Sequence, residues 1–159
     1  MGSMKILFVC TGNTCRSPMA EAMMRRLLET RGIGEIQVRS AGTGAYDGAP
    51  ASEGAYLVGL ENGIDLSAHR AQRLTRELVA ESDLILTMTP QHRDRAEDLG
   101  GGEKVYLLGA YAGREGEDAT VNDPFGAELE EYRTTFLELE GLIQAAISRL
   151  QAERSDGQR

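Results

Sequence analysis

The sequence predicts a single-domain α/β fold in which helices cover both faces of a parallel sheet. Short apolar runs alternate with longer segments of helical periodicity, a pattern typical of parallel sheets. The length of 159 residues suits one domain with a single core. No internal repeat, domain linker or low-complexity segment divides the chain. We therefore expect one domain over residues 4–150, preceded by an expression scar at residues 1–3.

Four apolar runs have the length and composition of buried strands. The first, KILFVC, ends at Cys10. The predicted strands span residues 5–10, 36–40, 83–88 and 105–108. In sheets of this kind ligands bind beyond the carboxyl ends of the strands, so Cys10 lies where a ligand site is expected.

Helical segments separate the predicted strands and end the chain. The first begins at Ser17-Pro18, because proline suits a first helical turn, and it ends at Gly32. Further predicted helices span residues 52–61, 75–80 and 89–99, and the last begins at the acidic run 128–131 and carries its apolar face over 132–150. Two polar stretches are expected to lack regular structure: 109–122, which is irregular, and the tail 151–159, which frays.

The charge of the chain limits its partners. With 17 basic and 25 acidic residues the formal net charge is −8, which disfavours nucleic acid and anionic membranes. No stretch approaches the roughly 20 apolar residues of a membrane span. Two cysteines do not suggest a disulfide scaffold, so we expect a reducing, cytoplasmic setting. We also expect a monomer that needs no cofactor.

The segment between the first strand and the first helix has the composition of an anion-binding loop. Gly12 and Asn13 tolerate backbone angles that turn successive amides inward, and the helix start adds its positive end. The guanidinium of Arg16 can grip two phosphate oxygens. These groups favour a thiolate at Cys10, and Ser17 is close enough to donate a hydrogen bond to that sulfur. The combination predicts a nucleophile aimed at a phosphoryl group.

Other interpretations of these residues fit the sequence less well. A lone cysteine that ends an apolar strand is often only a small buried side chain. No Gly-Lys-Ser/Thr follows the loop, which excludes a nucleotide P-loop, and the cysteine spacing does not match a thioredoxin-type pair. A zinc site would draw on side chains whose spacing fits no common zinc pattern. These are Cys10, Cys15, His69 and His92.

The segment CTGNTCRSP resembles the signature of the low-molecular-weight protein tyrosine phosphatase family. The resemblance covers nearly the whole chain and extends to three later segments: Ser40-Ala41-Gly42, His69 with Leu74-Thr75, and Asp123-Pro124. A pattern with matching segments near both ends of the chain is more specific than Cys-x5-Arg alone. The resemblance implies a four-stranded parallel sheet, no metal, and the hydrolysis of phosphorylated proteins through a cysteinyl phosphate.

The resemblance also implies a role for each matching residue. Cys10 would be the nucleophile, Arg16 the phosphate clamp and Asp123 the general acid. Ser40 would brace Asn13 in its unusual conformation, and His69 would support the loop through hydrogen bonds. The loop residues together would bind the phosphate, namely Thr11, Gly12, Asn13, Thr14, Cys15, Arg16 and Ser17.

Side chains around the loop bear on which phosphate is cleaved. Tyrosine-directed members of the family usually carry an aliphatic residue where this chain has Thr14. Thr14 together with Asp-Pro-Phe-Gly resembles the bacterial protein arginine phosphatases of the same family. A hydroxyl at the pocket wall is better suited to a polar guanidinium substrate than to a phenyl ring. Tyrosine-directed relatives often have a second aromatic residue where this chain has Phe125-Gly126, so one aromatic wall is missing here. Tyr46 points the other way, because it lies in the loop that supplies an aromatic side chain to stack on the substrate ring in those relatives. We favour phosphoarginine, with phosphotyrosine as the alternative.

The side chains of Cys15 and His92 need separate interpretations. Cys15 either packs in the loop wall or pairs with Cys10 under peroxide, which would shield the nucleophile from over-oxidation. His92 belongs to a polar helical segment, so we expect it at the surface.

Three rival functions share parts of the pattern. Thioredoxin-coupled arsenate reductase resembles the family in fold and loop, but it needs two further cysteines and this chain has none beyond Cys15. A non-catalytic phosphoprotein-binding module would need neither a reactive Cys10 nor Asp123. A phosphatase of small molecules remains open on the sequence alone.

Overall fold

A four-stranded parallel sheet forms the centre of the protein. The computed structural model describes residues 3–157. Its strands are β1 (Met4–Cys10), β2 (Ile36–Gly42), β3 (Leu84–Thr87) and β4 (Val105–Leu107). They lie in the order β2-β1-β3-β4, and every neighbouring pair is parallel. The predicted α/β class with four parallel strands is therefore confirmed.

Helices cover both faces of this sheet. They are α1 (Arg16–Thr30), α2 (Glu53–Glu61), α3 (Arg76–Glu81), α4 (Pro90–Asp98), α5 (Leu108–Tyr111) and α6 (Leu129–Gly157). α6 continues past the predicted end at residue 150, into the stretch expected to fray. Residues 1–2 of the expected scar and residues 158–159 of the tail lie outside the described residues.

Side chains along β1 alternate between two cores. Ile6 and Phe8 pack in the larger core, with residues of α1, α2, α5 and α6. Leu7 and Val9 pack in the smaller core, with residues of α3 and α4. Burial on both faces explains why this strand is a continuous apolar run in the sequence.

The stretch 109–122 is more regular than expected. It contains most of α5 and a 3-10 turn at Gly116–Ala119, and both Tyr111 and Val121 are buried. Gly109 permits this packing, because a Cβ there would lie 2.2 Å from the carbonyl oxygen of Ala119. The polar composition of this stretch gave no indication that Tyr111 and Val121 would be buried.

The sheet order puts Cys10 beside the point where the connections diverge. β2 lies on one side of β1 and β3 on the other, so the loop after β1 starts at a topological switch point. Cys10 pairs with Gly42 at this edge. A Cβ on Gly42 would lie 2.4 Å from the carbonyl oxygen of Thr11, so glycine is needed for the close approach of β2 to the loop. Among the described residues, no helix is both long and apolar enough to cross a membrane.

Candidate active site

The loop between β1 and α1 is held by its own asparagine. Asn13 is buried and has a φ of 55°, a left-handed conformation that costs energy for a residue other than glycine. Its Nδ2 donates to the hydroxyls of Ser17 at 2.8 Å and Ser40 at 2.9 Å, and its Oδ1 accepts from the Gln72 amide at 2.9 Å. These bonds offset the strain. Gly12 has no positive φ, so its expected share in the unusual backbone angles is wrong.

A second layer of hydrogen bonds surrounds Asn13. The Ser40 hydroxyl donates to Glu21 at 2.6 Å, and His69 Nε2 donates to the Asn13 carbonyl at 2.7 Å. The structure thus brings Ser40 and His69, which were predicted from the sequence, onto the loop. Glu21 was not predicted, although it follows Ser17 by one helical turn and therefore lies on the same side of α1.

The sulfur of Cys10 lies in an environment that favours negative charge. Its Sγ is 2.9 Å from the Ser17 hydroxyl. That hydroxyl accepts from Asn13, so its own hydrogen is free to donate to the sulfur. Within residues 3–157 no side chain caps the N-terminus of α1, so the first amides of this helix are available to an anion.

Arg16 is a buried guanidinium whose Nε is free to donate. Its Nη1 donates to the carbonyl of Val121 at 2.9 Å, and its Nη2 lies 3.4 Å from Oδ2 of Asp123. Its Nε is buried and has no hydrogen-bond partner among residues 3–157. Because buried polar groups are normally paired, the free Nε indicates that an anion belongs here.

Asp123 lies at the rim and is only partly solvated. Its side chain is 46% exposed, and its Oδ2 is the atom that faces Arg16. Its Oδ1 accepts from the Phe125 amide at 3.0 Å, which closes a turn around Pro124. The turn and the rigid proline hold the carboxyl over the loop.

A cavity of about 310 Å³ opens above the loop. Thr14 is half-buried in its wall, while Tyr46 and Phe125 are 86% and 70% exposed. The cavity is lined by Cys10, Thr11, Gly12, Thr14, Cys15, Arg16, Gly44, Tyr46, Ala49, Asp123 and Phe125. It therefore joins the nucleophile, the clamp and the carboxylate predicted from the sequence, and it has two aromatic side chains at the open end.

Cys15 has different neighbours from Cys10. Its Sγ lies 3.0 Å from the Ser52 hydroxyl and 3.7 Å from the Tyr132 hydroxyl. Burial raises the pKa of the Cys15 thiol. Both cysteines are free in the structure. These contacts agree with packing in the loop wall, and the disulfide with Cys10 stays a prediction.

The expectation that His92 lies at the surface is wrong. This side chain is 4% exposed. It forms a capping box with Thr89, the N-cap residue of α4, and its Nε2 lies 2.8 Å from the Thr11 hydroxyl. With both ring nitrogens engaged, His92 is not free to bind zinc. Within residues 3–157 no group of three or more His, Cys, Asp or Glu side chains is placed to hold a metal ion.

We expect the buried imidazole of His92 to make stability depend on pH. Burial, followed by the charge of Arg16, lowers the pKa of His92 to about 4 from its ordinary 6.5. Between these values the unfolded chain binds more protons than the folded protein, so stability rises with pH. The contribution is complete above about pH 6.5 and is lost towards pH 4, on the order of 3 kcal/mol in all.

We expect the His92→Leu variant to lack this part of the pH dependence. Urea unfolding of both proteins from pH 4 to pH 7 measures it, because groups that titrate in both proteins cancel in the difference. As the pH rises, the free energy of unfolding of the unaltered protein should increase relative to that of the variant. Parallel curves over this range would show that His92 makes no such contribution.

Comparison with known proteins agrees with this geometry. The family model described as low molecular weight phosphotyrosine protein phosphatase matches residues 5–156. A protein-arginine-phosphatase of Geobacillus stearothermophilus is 40% identical over 152 residues, which are 94% of this chain and 98% of that protein.

Solved structures extend the similarity to the fold. A mutant of the YwlE arginine phosphatase with a phosphorylated active-site serine is 40% identical and has a TM-score of 0.88, with 96% of this chain and 99% of that chain covered. The low molecular weight protein tyrosine phosphatase of T. tengcongensis is 41% identical, with a TM-score of 0.85 and coverage of 92% and 99%. The chain therefore belongs to the low-molecular-weight phosphotyrosine protein phosphatase family.

Proposed function

We propose that this protein is a phosphatase that hydrolyses phosphoarginine on proteins through a cysteinyl phosphate. The observation that carries the phosphatase chemistry is the buried Arg16, whose free Nε lies in the same site as Cys10 and Asp123. A fixed guanidinium with a spare donor is suited to a phosphoryl group. Two free cysteines suit a reducing compartment, so we also propose a cytoplasmic enzyme, which acts as a monomer.

The first step transfers the phosphoryl group to Cys10. The thiolate attacks phosphorus, an S–P bond forms, and the P–N bond to the substrate arginine breaks. Asp123 gives its proton to the departing nitrogen, so arginine leaves as a guanidinium. The helix amides and Arg16 stabilise the charge on the phosphoryl oxygens during transfer.

The second step releases phosphate. Asp123, now ionised, takes a proton from a water molecule while the water oxygen bonds to phosphorus. The S–P bond breaks and its electron pair returns to Cys10. The Ser17 hydroxyl, 2.9 Å from the sulfur, stabilises the thiolate as it leaves.

The wall of the cavity supports phosphoarginine as the substrate. Thr14 puts a hydroxyl in the wall of the cavity that leads to Cys10. An aliphatic side chain at this position would instead suit the aromatic ring of phosphotyrosine. Asp123 can both protonate the bridging nitrogen and balance the cation that remains. A relative 40% identical to this chain is named a protein-arginine-phosphatase.

Phosphotyrosine is the second candidate, and one observation favours it. Tyr46 is highly exposed at the open end of the cavity, where its ring can stack on a substrate ring. Phe125 adds an apolar surface at the same opening. Tyr46 and Phe125 can both contact an aromatic substrate, so turnover of phosphoarginine and phosphotyrosine must be compared directly.

We expect Thr14→Ile to move the preference towards phosphotyrosine. The branched apolar side chain removes the hydroxyl that suits a guanidinium and adds surface for a phenyl ring. The ratio of kcat/KM for phosphoarginine and phosphotyrosine peptides of the same sequence should shift by about tenfold or more, the range of one side-chain change in a pocket.

The matched control is Thr30→Ile, at an exposed threonine that ends α1 away from the cavity. Its ratio should equal that of the unaltered protein. A strong preference of the unaltered protein for phosphotyrosine would overturn the proposed substrate. An unchanged ratio in Thr14→Ile would show that Thr14 does not determine the substrate preference.

A further inference from the structure

His92 connects α4 to the loop that carries Cys10. Its Nε2 lies 2.8 Å from the hydroxyl of Thr11, the residue that follows the nucleophile. Its Nδ1 lies 3.2 Å from the backbone amide of Thr89. The side chain is buried, and Thr11 is exposed at the rim of the cavity. One imidazole therefore links a rigid helix start to a hydroxyl beside the reacting sulfur.

The Thr89 amide determines the direction of these hydrogen bonds. A backbone amide can only donate, so Nδ1 of His92 is the acceptor and carries no proton. The ring proton of the neutral imidazole is then on Nε2, which donates to Thr11. The lowered pKa of His92, about 4, keeps the ring neutral at physiological pH.

This arrangement leaves the Thr11 hydrogen available. A hydroxyl has one hydrogen, and Thr11 already accepts from His92. Among residues 3–157 its side chain has no other hydrogen-bond partner. Thr11 lines the catalytic cavity and also an adjoining groove of about 320 Å³, and Asp123 and Arg16 line both. Its O–H is therefore a free donor at a cavity and a groove that Asp123 also lines.

Hydrolysis of the cysteinyl phosphate needs a water molecule within reach of Asp123. The helix amides and Arg16 serve the oxygens of the phosphoryl group, whereas Asp123 serves the leaving group in the first step and the water in the second. We propose that His92 is a positioning residue, which holds the Thr11 hydroxyl as a hydrogen-bond donor to the water that hydrolyses the cysteinyl phosphate. The inference rests on the covalent mechanism proposed above.

The step is balanced without a proton from either residue. The water oxygen bonds to phosphorus, the S–P bond breaks, its electron pair returns to Cys10, and the water proton passes to Asp123. Thr11 and His92 only limit where the water oxygen can lie. Their loss should slow this step and leave the transfer of phosphate to Cys10 intact.

The first test is Thr11→Val, which has nearly the same shape without the hydroxyl. With p-nitrophenyl phosphate, kcat should fall about fivefold to tenfold, the effect of one lost hydrogen bond in the transition state. Rapid quenching and intact-mass measurement should find a larger share of the protein phosphorylated, while the rate of phosphorylation stays the same. Thr11→Ser keeps the hydroxyl and should restore kcat.

The second test asks whether His92 acts through Thr11. His92→Leu should lower kcat as Thr11→Val does, and the double variant should be no slower than either single variant. His92→Gln, whose amide can still donate to Thr11, should recover part of the activity. Additive losses in the double variant would reduce His92 to a structural role and overturn the inference.

Two outcomes separate this inference from the proposed function. Turnover by the unaltered protein without a phosphorylated Cys10 would overturn the covalent mechanism and this inference together. A phosphorylated Cys10 in the unaltered protein, with kcat and phosphoenzyme unchanged in Thr11→Val, would overturn this inference alone. If His92→Leu does not fold, Thr11→Val and His92→Gln decide, because Thr11 is exposed.

Discussion

Cys10→Ser is expected to abolish turnover, with a loss of kcat of at least about 10⁴-fold, as for nucleophiles in other covalent enzymes. A hydroxyl is a far weaker nucleophile than a thiolate, and the groups around Cys10 act by stabilising the thiolate. The Ser17 hydroxyl at 2.9 Å and the uncapped start of α1 are two of these groups. Steady-state hydrolysis of p-nitrophenyl phosphate measures the loss.

The Cys10→Ser variant also provides its own control. The amides of α1 and Arg16 remain in place, so the variant should still bind inorganic phosphate with an affinity near that of the unaltered protein. Calorimetric titration measures this affinity. Turnover within about tenfold of the unaltered protein would refute the covalent mechanism.

Asp123→Asn is expected to lower kcat/KM on a phosphoarginine peptide by about 10² to 10⁴-fold, the usual range for a general acid. The amide has nearly the same shape and its oxygen can still accept from the Phe125 amide, but it cannot donate a proton to a departing nitrogen. Since Asp123 is 46% exposed, the change should leave the fold intact.

The size of the loss should depend on the leaving group. kcat/KM reports the transfer to Cys10, and p-nitrophenolate leaves with little need of a proton, so this substrate should lose much less than phosphoarginine. Asp94→Asn is the matched control, because Asp94 is an exposed residue of α4 whose ion pair is with its neighbour Arg93. An equal loss on both substrates would show that Asp123 is not the general acid.

The fold could be predicted because its signals are local. Both faces of β1 are buried, so KILFVC is a continuous apolar run, and Pro18 lies in the first turn of α1. The loop was also readable, because Cys10, Arg16 and Ser17 lie within eight residues of sequence. Asp123 could be predicted as a site residue only through the family resemblance. Nothing near it in the sequence indicates that its carboxyl lies 3.4 Å from Arg16.

His92 shows why other parts of the site could not be predicted. Its neighbours in the sequence are polar, which indicated a surface helix. Its contact with Thr11 joins residues 81 positions apart, and its capping box uses histidine where glutamate or glutamine is usual. Similarly, Asn13 was expected to adopt unusual angles, but the bond to the Gln72 amide depends on a distant loop.

The sequence by itself determined the α/β class, and it sufficed to propose the anion-binding loop with Cys10 as its nucleophile, because each depends on residues close together along the chain. The family resemblance implied that Ser40 and His69 support that loop, and the tertiary structure alone decided which other distant groups meet it. The Ser40 hydroxyl, the His69 and His92 imidazoles and the Val121 carbonyl reach it because parallel pairing in the order β2-β1-β3-β4 collects the carboxyl ends of the strands at one edge. Such long-range register is set by packing, and no local pattern encodes it.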